Sequence, residues 1–170
     1  MSKSNSQGFL ATFSLLFSVT ASAADQSYMS LVGDLVANVE APRILRDLCL
    51  SDVPSSATAN AKAFESWVQG NAELLKLVAV QRERADKRLA TQAASNASAP
   101  KSTDQLVEIL RRNMKSHLQK AEGSEHLTLT CADYPSFLSF TAESRGAKIT
   151  ELLKLVTSAD VALSEREAKK

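Results

Sequence analysis

Two histidines, two cysteines and five glycines are the chain's whole stock of the residue types on which most metal, thiol and phosphate chemistry depends. A metal site needs several His, Cys or acidic ligands converging at set spacings. His117 and His126 stand nine positions apart, neither in an H-E-x-x-H pattern, and read as surface or half-buried side chains. No G-x-S-x-G elbow offers a nucleophilic serine, and the carboxylates Glu65, Glu73, Glu143 and Glu151 fit the wet faces of amphipathic helices. Five glycines, one of them in the first residues, do not make a phosphate-cradling loop. Haem attachment would need C-x-x-C-H, which is missing, and Met114 one turn before His117 is the spacing of core packing. No catalytic residue, metal or cofactor is therefore assigned, and the chain is read as no enzyme; a hydrolase without a recognisable motif is the outlying alternative.

What the two cysteines do depends on the compartment. Lys3 leads an apolar run from Phe9 to Val19, eleven residues long, and Ala21-Ser22-Ala23 follows as a small-x-small cleavage pattern. The run is shorter than the about 20 residues that span a bilayer. Residues 1–23 are thus expected to be a signal peptide, the working form to begin near Ala24, and its home to be the periplasm, with release to the medium as the variant. Removing residues 1–23 from the 170 leaves 147, one domain of ordinary size with no second long apolar stretch, so no stable membrane insertion is expected. In an oxidising compartment Cys49 and Cys131 are expected to form one structural disulfide, for no C-x-x-C spacing suggests redox work.

The elements that must position these residues are helical. Leu31, Val32, Leu35, Val36 and Val39 repeat at three and four, a helical face that Pro42 is expected to end. Arg43 to Leu50 reads as a short second helix and Asp52 to Ser56 as a turn. Ser56 to Gln92 forms a long third segment in which Gly70-Asn71 invites a kink, and its charged part, Gln81 to Arg88, is expected to project into solvent with Glu83 pairing Lys87. Ala93 to Lys101 is a linker containing the sequon Asn96-Ala97-Ser98. Ser102 and Gln105 read as a capping box opening a fourth helix that carries Leu106, Leu110, Met114 and Leu118 and closes at Gly123. His126 to Thr130 alternates and is expected to be extended; Pro135 opens a fifth helix, and Gly146 separates a sixth. The expected fold is an all-α small helical bundle of five or six helices pinned by one disulfide, over residues 24–163, with a charged, fraying tail at 164–170.

Function is then read by elimination. With Lys3 removed, 19 basic side chains face 19 acidic ones, which excludes a general nucleic-acid binder. An exported protein-binding module of the inhibitor, immunity, chaperone or secretion-accessory type is expected, its partner another envelope or secreted protein. The candidate partner-binding residues are Arg111, Arg112 and Lys115 beside the fourth helix's stripe, and Arg84 and Arg88 in the charged run. Trp67, with Phe64 one turn before it, is expected to anchor the core. A small-molecule or lipid carrier with an apolar cavity between helices is the alternative.

Overall fold

A computed structural model of the chain describes residues 23–95, 99–121 and 124–169. Of the expected signal peptide only Ala23 falls among them; the sequon at 96–98 and Gly123 lie outside. Five α-helices make up the described chain: α1 (Ala23–Asp52), α2 (Ala57–Gly70), α3 (Ala72–Ser95), α4 (Thr103–Ala121) and α5 (Ser124–Glu167), with a single 3-10 turn, Pro54–Ser56, between α1 and α2. No strand occurs among the described residues.

Cross-helix contacts fix the directions. Cys49 meets Cys131, Pro42 meets Tyr134 and Asn38 meets Arg145, so α1 and α5 are antiparallel along their length. Asn60 reaches Cys131, Gln81 reaches Thr157 and Arg88 reaches Asp160, so α2 and α3 run with α5 as one rod broken at Asn71. Asp47 faces Arg111 and Asp52 faces Lys115, so α4 runs with α1. The result is an up-down-up-down bundle. The break at Gly70-Asn71 falls where expected. The Asn71 amide turns back onto Trp67 and Val68, and its side chain donates to the Trp67 carbonyl at 2.8 Å.

Three expected breaks do not exist. Pro42 lies inside α1, Pro135 lies inside α5, and Gly146 interrupts nothing. A proline within a helix strips the carbonyl four residues earlier of its donor. For Pro42 that carbonyl belongs to Asn38, and Arg145 Nη1 donates to it from α5 at 3.4 Å. For Pro135 it belongs to Cys131, and Asn60 Nδ2 donates to it from α2 at 3.0 Å. Tyr134, fully buried, adds a bond from its hydroxyl to the Pro42 carbonyl at 2.9 Å. Each proline is accommodated by a side chain from another helix.

The expected extended stretch at His126 to Thr130 is helical for a related reason. Leu127, Cys131, Tyr134 and Leu138 are all buried at spacings of four and three, a helical period that the local alternation of Leu127 and Leu129 hid. At the head of α4 the capping box is present with a shifted return bond. Ser102 Oγ accepts from Gln105 N at 3.3 Å, but Gln105 Oε1 takes the Lys101 amide at 2.6 Å rather than that of Ser102. Asp86 of α3 then accepts the Thr103 amide at 2.6 Å.

Cys49 and Cys131 are bonded, their Cα atoms 5.4 Å apart, inside the span a disulfide bridges. The bond closes a loop with a sequence separation of 82, a restriction of the unfolded chain worth about 4–5 kcal/mol in the chain-entropy picture. Around it the core continues through Ile44, Leu48, Leu138, Ile149 and Val156, with Trp67 buried as expected.

If Asn60 serves chiefly to satisfy the carbonyl freed by Pro135, Asn60→Ala in the oxidised protein costs about 1–3 kcal/mol in urea unfolding, the range for orphaning a buried acceptor. In a Pro135→Ala background the new backbone N–H serves the same carbonyl, and the cost of Asn60→Ala falls well below that. Equal costs in both backgrounds would refute this role for Asn60.

Candidate functional site

The charged run Gln81 to Arg88 does not project into solvent. It forms the seam between α3 and its neighbours, with Gln81 and Ala85 buried. Gln81 Nε2 donates to Thr157 Oγ1 at 2.8 Å. Arg82 ties three elements together: Nη1 pairs with the buried Glu40, Nη2 donates to Asp104 at 3.0 Å and Nε to Thr103 Oγ1 at 3.3 Å. Glu40 also takes Arg43 at 2.6 Å. Glu83, Arg84 and Lys87 are the exposed members of the run, and Glu83 pairs with Lys87 at 3.0 Å as expected.

The residues proposed from sequence for partner binding divide between two seams. Arg88 uses its whole fork within the fold. Its Nε donates to Asp160 at 2.6 Å, Nη1 to Glu167 at 2.9 Å and Nη2 to Ser164 Oγ at 2.9 Å, while the guanidinium lies 5.5 Å from the Tyr28 ring centroid. Burial alone would lower its pKa, but the bond and charge of Asp160, with Glu167, more than reverse that. Arg84, half exposed, stands 3.8 Å from Asp160. On the other seam Arg111 lies 3.5 Å from Asp47 and 3.5 Å from Glu108, and Lys115 lies 3.8 Å from Asp52. Arg112 is exposed, with Nε donating to the Glu108 carbonyl at 3.4 Å. The basic patch therefore lies beside acids of its own chain, with Arg112 and Lys115 as its exposed members.

Sequence reasoning missed the outer face of α5. Leu129, Phe137, Phe140 and Leu155 are 60, 41, 90 and 44 % exposed. At the helical turn angle they fall within an arc of about 80° on one continuous helix. Dividing α5 at Pro135 and Gly146 concealed that alignment. Beside this face lies Arg145, buried, its guanidinium 5.4 Å from the Phe137 ring centroid. Burial lowers its pKa, with the neighbouring Tyr134 acting the other way.

His117 is exposed and His126 half-buried, and no three His, Cys, Asp or Glu among the described residues are placed to hold a metal ion. Trp67 stacks on Phe64 with centroids 5.9 Å apart, and Arg46 lies 4.3 Å over the Phe64 ring. No helix of the described residues is long and apolar enough to cross a membrane. Comparison with protein-family models, with curated proteins and with solved structures finds no match to the chain.

Both tyrosines are buried, and each resists ionisation. Desolvation, then the charge of Asp160, pushes Tyr28 up to about 12. Desolvation raises Tyr134 further, against the opposing charges of Arg46 and Arg145. A phenol near 10 in the unfolded chain loses its proton before the folded one does. Their contribution to stability is therefore complete below about pH 10 and drains away as pH climbs through 12. Because the chain has only these two tyrosines, phenolate absorbance reads them directly. Its rise is expected above pH 12 or together with alkaline unfolding; a rise near pH 10 in the folded protein would contradict their burial.

Proposed function

We propose that the protein is an exported, non-enzymatic protein-binding module whose partner docks on the outer face of α5. The exposure of Phe140, at 90 %, in line with Leu129, Phe137 and Leu155 carries this reading. Scattered surface apolars are ordinary, but large ones gathered on one helix face mark a surface that excludes water against a partner. Aromatic anchors supply most of the energy in such interfaces. The basic residues then serve as rim contacts: Arg88 and Arg111 are engaged within the fold, while Arg84, Arg112 and Lys115 remain exposed to a partner.

Export rests on the leader-like pattern of residues 1–23 and on the Cys49–Cys131 bond, which persists most readily in an oxidising compartment. The periplasm suits both. The partner is then another envelope or secreted protein.

Expression of the full chain in a bacterium, followed by N-terminal sequencing of the periplasmic fraction, is expected to find a start at Ala24. Protein confined to the cytoplasm with residues 1–23 intact would end the export reading. For the binding face, tagged protein is used to capture partners from its native envelope, comparing wild type with Phe140→Asp and Arg112→Glu. Phe140→Asp should leave the Tm unchanged, because that side chain is already in water, and should lose a stoichiometric protein that Arg112→Glu retains. Capture indifferent to Phe140 would place the partner elsewhere.

A further inference from the structure

Arg145 is the one buried basic side chain among the described residues, 6 % exposed, and no carboxylate among those residues pairs with it. The guanidinium carries five donors. One, at Nη1, meets the Asn38 carbonyl at a long 3.4 Å, and the buried Nε meets no acceptor. Satisfying that carbonyl does not require a charge, for the neutral amide of Asn60 does the same for Cys131 at 3.0 Å. A buried cation without a counter-ion is costly, and native structures keep such groups paired. Beside it stand Tyr134, whose hydroxyl is already committed to Pro42, and the ring of Phe137.

We propose that Arg145 is the anchor of a ligand site for a carboxylate that carries an apolar group. The carboxylate takes the guanidinium donors that the fold leaves without an acceptor, Nε among them, the geometry in which an arginine fork binds most strongly. The apolar group lies on Phe137 and Phe140, the two partly or fully exposed aromatics on the adjoining face. Phe137, 41 % exposed, covers the guanidinium in the free protein and turns aside as an exposed rotamer does, within nanoseconds. No acid of the chain need be displaced. This goes beyond the docking of a protein on α5 and stands or falls separately from it, since Phe140 can anchor a partner whether or not Arg145 takes an anion.

The test uses the oxidised protein and follows the Arg145 Nε–Hε resonance by NMR. Two carboxylates are titrated, phenylacetate as a free acid and the peptide acetyl-Phe-Asp-Phe amide as a protein-borne one, each beside its carboxamide counterpart. Saturable shifts of Arg145 with a carboxylate but not with its carboxamide are expected. The tighter of the two carboxylates identifies the source. Arg145→Met should weaken that binding about ten-fold or more. Arg145→Lys, which keeps a charge and a donor for Asn38, should weaken it less and guards against a variant that fails to fold. Carboxamides binding as well as carboxylates would show that the aromatic face acts alone, and the proposal would fall. It would fall equally if neither carboxylate moved the Arg145 resonance in the wild-type protein.

Discussion

Two carbonyl oxygens, at Asn38 and Cys131, hold the key to this bundle. Pro42 and Pro135 deprive each of its helical donor, and α1 and α5 stay continuous because Arg145 and Asn60 supply replacements. Helix continuity and tertiary packing are thus one event. Neither long helix would be expected to hold straight through its proline in isolation, since the bond it lacks comes from a partner helix. The disulfide sits in the same region, and Asn60 donates to the carbonyl of the bonded Cys131 itself. One neighbourhood consequently joins α1, α2 and α5 by a covalent bond, two cross-helix donors and the Tyr134–Pro42 hydrogen bond.

Away from that centre the helices are held by charge as well as by apolar packing. Arg82 gathers Glu40 and Asp104, and Arg88 gathers Asp160 and Glu167. Most of these groups are partly shielded from water, where a hydrogen-bonded pair is worth more than at an open surface, although the desolvation of both partners offsets much of the gain. Such contacts select register: an α3 shifted by one turn would bury arginines with no acid opposite them.

The helical class, the kink at Gly70-Asn71 and the burial of Trp67 were legible because each depends on nearby residues or on a periodic face, and the disulfide because the chain has just two cysteines to pair. The continuity of α1 and α5 was not. Proline's local preference is to end a helix, and the donors that overrule it lie 107 positions away for Asn38 and 71 for Cys131. The run Gln81 to Arg88 was misplaced for the same reason, since its acids are on α1, α4 and α5 and nothing nearby in sequence marks it as internal. The outer face of α5 followed from the first error: cut at Pro135 and Gly146, the helix shows no row of exposed apolars, and uncut it does. Arg145 carries no mark in the sequence at all, because an unpaired cation is defined by what does not surround it.

The antiparallel course of α1 and α5 brings Tyr28, near one terminus, beside the Arg88 that also grips Glu167 near the other. Tension applied across these two ends would enter at one pole of the bundle and pass along α1 and α5 only as far as Cys49 and Cys131. There the covalent bond short-circuits the chain. Everything between the two cysteines, including α2, α3 and α4, sits inside a closed ring that the pull does not stretch. The polypeptide can peel from its outer ends and lengthen by those segments alone, at about 3.3–3.6 Å per residue, while the ring transmits the force without being drawn out. A module with this wiring can be tugged from its ends and keep its middle folded.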